Sequence, residues 1–315
     1  RVLSMATVPG FNPNVYGRYA PALWRQAAVQ DIYEPGSTFK IVTAAAYIES
    51  GGDLGKRYFA ENGKYPIGVG RFTLHDHKKY GWLTAEEAVL KSSNIAIYKM
   101  AKDVGAVRIH AMAQRFGFGK KTGIDFPGEA GGIFRPLKRW SGTSLASISI
   151  GQEVGVTPLQ MVMAVAAIAN GGVLQVPRIV EALERRGRIL PRTEPSVPRR
   201  VISERSANRL AAVLRKVVSS GTGASAEVPG YGAAGKTGTA QMAMPGVKGY
   251  SKDQFITSFA GFVPYENPRI ALIVMFDGGQ LGGASWGGTI AAPVWKRIAW
   301  QTMRYLRVPP KGAQV

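Results

Sequence analysis

The chain has 315 residues, 40 Lys and Arg against 20 Asp and Glu, and a formal net charge of +20. With 45% hydrophobic residues it can bury a sizeable core in one large or two modest domains, and nothing in its composition suggests disorder. The lack of any cysteine excludes disulfide staples and thiolate metal sites, and no apolar run approaches the roughly 18 residues of a membrane-spanning helix.

In chain order, Val2 to Val8 reads as a strand that begins almost at once, without a methionine or signal peptide, so the expectation is that the natural N-terminus has been removed. Glu34-Pro35-Gly36 then leads into Ser37-Thr38-Phe39-Lys40, which spaces a hydroxyl and an amine one helical turn apart. Positions i and i+3 share a helix face, so Lys40 is expected to reach the Ser37 hydroxyl. The stretch from Thr38 to Ile48 is apolar on nearly every side, which predicts a buried helix stopped by Gly51 and Gly52. A serine at the N-terminus of such a helix sits where free N–H groups favour a developing oxyanion. Burial and the helix end both lower a lysine pKa from its usual value of about 10.4, as a general base requires. Taken alone, Ser-x-x-Lys is a pattern that chance supplies, and a serine at a helix start is often only a cap.

His75-Asp76-His77 has the look of a ligand cluster, but zinc needs three or four ligands and His110 is the one other imidazole. It is read as a surface loop, with no metal. Thr84-x-x-Glu87 is a capping box that opens a helix, and a second helix runs from about Ile95 to Gly105. Ser92-Ser93-Asn94 falls between them, either as a helix cap or as a second hydroxyl and an amide for chemistry. The helical portion extends from about Leu83 to Asn170, its last helix opened by Thr157-Pro158 and closed at Gly171. Arg178 to Arg209 is arginine-rich, including Arg185, Arg186, Arg188, Arg192, Arg199 and Arg200. It lacks the basic and aromatic interleaving of a nucleic-acid surface, and Gly187, Pro191, Pro195 and Pro198 break it into turns or a hairpin. A solvated basic loop is expected; an acidic phospholipid surface or an anionic wall polymer is the partner class that would suit it.

Lys236-Thr237-Gly238-Thr239 is followed by two β-rich runs, Phe255 to Val263 and Ile270 to Phe276, separated by turn residues Pro264 to Pro268. An antiparallel meander is predicted, with Lys236 on a strand of it. Two motifs have duplicates. Lys121-Thr122-Gly123 lies in a turn-rich connection and is read as a loop cation, and Ser206-Ala207-Asn208 lies in an amphipathic helix from Ser203 to Val218, with Asn208 on its surface. A final helix, about Ala291 to Leu306, is expected to cover one face of a sheet built from both chain ends.

Serine-x-x-lysine, serine-x-asparagine and lysine-threonine-glycine, in this order, are the motif set of penicillin-binding proteins and serine β-lactamases, and the sequence resembles that superfamily. The stretches "YEPGSTFKIVTAAAYIE", "LKSSNIAIYKMA", "FGFGKKTGIDFPGE", "GVTPLQMVMAVAAIANGG", "GKTGTAQ" and "ITSFAGFVP" resemble class B penicillin-binding proteins, most of all the division-type transpeptidase. The resemblance covers almost the whole chain. It implies an α/β fold of the penicillin-binding/β-lactamase type: a mainly antiparallel central sheet flanked by helices, with an all-helical subdomain at roughly 83–170 inserted in one transpeptidase domain spanning 1–315. It also implies a membrane anchor and a pedestal domain outside this chain, and a place on the extracytoplasmic face of the bacterial inner membrane beside cell-division proteins.

The implied substrates are peptidoglycan stem peptides ending in D-Ala-D-Ala, with β-lactam antibiotics as covalent mimics. By resemblance, Ser37 is the nucleophile and Lys40 its base, Ser92 relays the proton to the leaving amine with help from Lys236, and Asn94 donates to the substrate amide. Thr237, Gly238 and Thr239 line the carboxylate end, and the backbone N–H groups of Ser37 and Thr239 form the oxyanion hole. No cofactor, metal or nucleic acid is implied. Glu34, Trp286 and Tyr250 are candidate rim residues. No clear glutamate-asparagine signature for hydrolysis is present, although Glu129 and Glu153 fall in the relevant interval. The alternatives are an elongation-type transpeptidase, an acylatable β-lactam sensor, a serine β-lactamase and, from a different class, a basic nucleic-acid or polymer binder with fortuitous motifs.

Overall fold

A computed structural model describes residues 1–68, 72–190, 197–243, 250–278 and 287–312. The all-round apolar stretch forms helix α1 (Lys40–Glu49), with every residue from Lys40 to Ile48 buried. It starts two residues later than the sequence suggests, because Gly36–Thr38 forms a tighter 3₁₀ turn ahead of it. Helix α2 (Ala85–Leu90) packs on α3 (Asn94–Val104), which with α4 (Ala106–Arg115) and α5 (Ser144–Ser149) packs against α1, and α6 (Pro158–Ala169) shares the same core. Both predicted N-terminal signals are realised. Thr84 and Glu87 close a reciprocal capping box on α2, and Thr157 and Gln160 close one on α6 with Pro158 in the first turn. Helix α7 (Glu204–Ser220) buries Leu210, Val213, Leu214 and Val217 and leaves Asn208 exposed, so the second Ser-x-Asn belongs to a helix surface.

The main sheet has three antiparallel strands, β1 (Ala234–Ala243), β2 (Tyr250–Val263) and β3 (Ile270–Phe276), in the order β3-β2-β1. Period-two alternation on the central strand divides the core. Ala260 and Phe262 face the helices around α1, whereas Phe259 and Val263 face helix α8 (Ala291–Tyr305), where Trp295 is fully buried and donates its indole N–H to the Leu272 carbonyl at 2.8 Å. Both faces of the sheet are thereby covered, and β1 is left as an edge strand.

One expectation fails. Val2 to Val8 forms no strand, and all three sheet strands lie between 234 and 276. The segment makes one backbone bond, Val2 N–H to the Arg178 carbonyl at 2.7 Å, and sets Val2 and Met5 against Val29, Ile124 and Leu159. Packing of Val2 and Met5 on the apolar flank of α6 takes the place of strand pairing, while Leu3 and Val8 stay exposed. The basic region does contain a hairpin, Leu183–Arg185 with Arg188–Leu190, exposed throughout and turned at Arg186-Gly187. Pro191, Arg192 and Pro195 lie outside the described residues. No helix among the described residues is long and apolar enough to cross a membrane.

Candidate active site

Ser37 occupies the middle of the 3₁₀ turn, half-buried, and the turn is held from both sides. Gly36 takes a positive φ of 51° and donates its N–H to the Gly151 carbonyl at 3.0 Å. A Cβ at Gly36 would stand 3.0 Å from both Ala240 Cβ and the Thr239 carbonyl oxygen, so the serine turn lies directly against β1. On the other side, Gly151 has φ +85°, and a Cβ there would come within 2.1 Å of the Gly36 carbonyl. Two backbone bonds between Tyr33 and Val156, both 2.9 Å, complete this cradle.

Lys40 is fully buried, and its amine turns toward the second motif. Nζ donates to the Ser92 carbonyl and to Asn94 Oδ1, each at 2.6 Å, and lies 3.1 Å from Ser92 Oγ. The expected bond to Ser37 is not formed; among the described residues Ser37 Oγ has no hydrogen-bond partner. Two carbonyl-type acceptors draw a desolvated amine more strongly than one hydroxyl does. Lys236, also fully buried, reaches the same Ser92 Oγ from β1 at 3.0 Å. Ser92 itself is held at φ +58°, a left-handed conformation that non-glycine residues adopt at a cost and that is common at functional sites.

Burial pushes the Lys40 amine down to about 7, and the charge of Asp76 partly opposes the shift. Burial and the neighbouring Lys40 push Lys236 well below the ordinary lysine range. The hydrogen bonds suit an uncharged Lys40. A neutral amine has two N–H donors for the two 2.6 Å acceptors, which leaves its lone pair for a hydroxyl.

Asp76 corrects the loop reading of His75-Asp76-His77. His75 and His77 are exposed, but Asp76 turns inward and accepts from Ser93 Oγ at 2.6 Å, from the Asn94 N–H and from the Ile95 N–H at 3.2 Å. It therefore anchors the first turn of α3, while Ser93 acts as the N-cap. The Asn94 amide donates Nδ2–H to the His75 carbonyl at 2.7 Å, which aims Oδ1 at Lys40. No local spacing in the sequence ties Asp76 to a motif 16 residues later.

On β1, Thr237 and Thr239 share one face and Lys236 and Gly238 the other. Gly238 leaves room for Thr38, whose Cγ2 would lie 2.8 Å from an added Cβ. Thr239 Oγ1 accepts the Gly287 N–H at 3.0 Å, and Thr237 Oγ1 lies 3.1 Å from the hydroxyl of Thr222, a residue in no motif. Thr122 and Gly123 of the second Lys-Thr-Gly close instead on Glu129, with bonds of 2.5 to 3.1 Å. Glu153 pairs with Arg135 and accepts from Ser144, and its N–H holds Glu34 Oε1 at 2.9 Å, so these three carboxylates are engaged in the scaffold. Trp286 lies outside the described residues; Tyr250 opens β2. Among the described residues no group of three or more His, Asp or Glu is placed to hold a metal.

The family model for the penicillin binding protein transpeptidase domain matches residues 1–299. The chain belongs to this transpeptidase family. It is 35% identical over 320 residues to stage V sporulation protein D of Bacillus subtilis, covering 100% of this chain and 49% of that protein. It is 30% identical over 314 residues to the peptidoglycan D,D-transpeptidase FtsI of Escherichia coli K12, covering 98% of this chain and 50% of that protein. Among solved structures, penicillin-binding protein 3 of Mycobacterium tuberculosis complexed with aztreonam superimposes with a TM-score of 0.83 at 36% identity, covering 92% of this chain and 66% of that one. The transpeptidase-family chain thus spans about half the length of these curated relatives.

Proposed function

We propose that this domain is a serine D,D-transpeptidase that cross-links peptidoglycan stem peptides through a Ser37 acyl-enzyme and is acylated by β-lactams. The observation that carries the reading is the line of polar atoms from Lys40 Nζ through Ser92 Oγ to Lys236 Nζ, drawn from three separate stretches of sequence into one buried cluster. In the proposed first step, neutral Lys40 takes the Ser37 proton as Oγ attacks the penultimate D-alanine carbonyl. Its two N–H bonds to the Ser92 carbonyl and Asn94 hold the lone pair within the cluster. The oxyanion forms against the backbone N–H groups of Ser37 and Thr239, which the close approach of Gly36 to Thr239 supports. Ser92, between two amines, passes the proton to the departing D-alanine, and the amine of a second stem peptide then attacks the ester.

An extended peptide suits the free edge of β1. Asn94 is assigned to the substrate amide. Thr237, Gly238 and Thr239 are assigned to the terminal carboxylate, with Lys236 supplying positive potential. We treat residues 1–315 as the transpeptidase domain, with the helical part at roughly 83–170 inserted in the α/β part. The proposal further places the whole protein on the extracytoplasmic face of the inner membrane, tethered by an anchor outside this chain, with septal wall synthesis as its role.

Fluorescent penicillin with the purified domain, read by intact mass and peptide mapping, tests the core of the reading. A persistent adduct at Ser37 that is absent from Ser37→Ala supports it. An unlabelled but folded protein removes Ser37 as nucleophile, and rapid loss of the adduct with hydrolysed drug converts the reading to a β-lactamase.

A further inference from the structure

Thr222 lies in Gly221-Thr222-Gly223, between α7 and the single turn Ala224–Ala226. A side chain would clash at the first glycine and be crowded at the second. A Cβ at Gly221 would stand 2.8 Å from the Val217 carbonyl and 3.0 Å from that of Leu90, and one at Gly223 would stand 3.1 Å from the Phe259 ring. The backbone N–H of Thr222 points to the Leu90 carbonyl at 3.4 Å, and the Thr222 carbonyl lies 2.6 Å from where a Cβ on Gly288 would be. The loop is thus wedged between α2, α7, the sheet and Gly288. This wedge delivers one polar group, the Thr222 hydroxyl, to Thr237 Oγ1 at 3.1 Å.

A hydroxyl has one proton and two lone pairs. Thr237 Oγ1 already lies 3.5 Å from Lys236 Nζ, which can only donate while it is charged. If Thr222 also donates, both lone pairs of Thr237 are taken and its proton is free for an outside acceptor. Thr239 is arranged in the same way, its oxygen accepting from the Gly287 N–H.

Resting on the transpeptidase reading, we propose that Thr222 is a positioning residue for carboxylate recognition: its hydroxyl donates to Thr237 Oγ1 and so turns the Thr237 proton toward the carboxylate of the substrate or of a β-lactam. No bond to the ligand is made by Thr222 itself. Losing it leaves one lone pair of Thr237 unfilled and its proton undirected, and selectivity for a charged carboxylate falls.

The test compares acylation of Ser37 by a penicillin and by its methyl ester, in which the carboxylate charge is masked, using Thr222→Val, Thr222→Ala and Thr222→Ser. The expected result is a loss on the order of tenfold with the free acid, and of about twofold or less with the ester, in the Val and Ala variants, with Ser close to wild type. Two unrelated side chains keep the test alive if valine disturbs the fold. Equal losses with acid and ester, an unchanged acid-to-ester ratio, or a Ser variant no better than Val would overturn the proposal. A wild-type protein labelled by neither compound would instead overturn the transpeptidase reading on which it rests.

Discussion

Lys40 Nζ and Lys236 Nζ lie on either side of a single oxygen, Ser92 Oγ, at 3.1 and 3.0 Å, and both amines are fully buried. Two ammonium groups sharing one hydroxyl in a desolvated site repel each other, and neither can accept the hydroxyl proton until it has lost one of its own. The arrangement therefore favours one neutral and one charged lysine, which is the pairing that the proposed base catalysis at Ser37 needs.

The pH dependence of acylation follows from the direction of the Lys40 shift. A lysine acts as a base only when deprotonated, and burial brings this one down to about 7 from 10.5. The second-order rate constant for penicillin acylation is expected to rise with pH through about 7 and level off above it. A lysine at its ordinary pKa would leave the rate still climbing at pH 9. A flat profile from pH 5.5 to 8.5 would remove Lys40 as the titrating base.

Asp76→Asn is expected to lower acylation at least tenfold and stability by about 1–2 kcal/mol, since it weakens three bonds to the start of α3. It also carries a signature that a purely structural lesion lacks. The Asp76 charge raises the Lys40 pKa, so its removal lowers that pKa further and moves the acidic limb of the rate profile to lower pH. Thermal melts together with the pH profile test this; a slower variant with an unmoved limb would reduce Asp76 to a helix cap.

The backing of the serine turn is open to a test outside the motifs. Gly151→Ala puts a methyl at φ +85° and within 2.1 Å of the Gly36 carbonyl. A loss of about 2–3 kcal/mol is expected in chemical denaturation, together with slowed labelling of Ser37 in protein that remains folded. Wild-type labelling and stability would show that the turn is held without this contact.

What the sequence makes legible here is local or ordered along the chain. Thr84 with Glu87 and Thr157 with Pro158 announce helices because each start signal is complete within four residues. The meander after Lys236 is legible from two β-rich runs and a proline-bounded turn. Asp76 and Thr222 were illegible because their partners are reached through tertiary packing: the Asp76 loop folds back onto α3, and the Thr222 loop is wedged onto β1. The strand expected at Val2 to Val8 failed for a related reason. An apolar run shows which residues want burial but does not distinguish a sheet edge from the flank of a helix, and α6 supplied the flank.

The two Lys-Thr-Gly copies give the sharpest separation of letters from geometry. Lys236 is buried on an edge strand with its amine on Ser92, whereas Lys121 is exposed in a turn whose Thr122 and Gly123 are tied to Glu129. Lys236→Ala removes the second amine from the cluster and is expected to slow acylation by on the order of 10² to 10³, the range for loss of one preorganised charge-stabilising donor. Lys121→Ala touches only a solvated cation, so its rate is expected to stay within about twofold of wild type and its stability within about 0.5 kcal/mol. Penicillin labelling rates of the two variants, measured side by side at pH 8, decide the matter. A comparable loss in Lys121→Ala would mean that the loop reaches the substrate and that strand context is the wrong criterion.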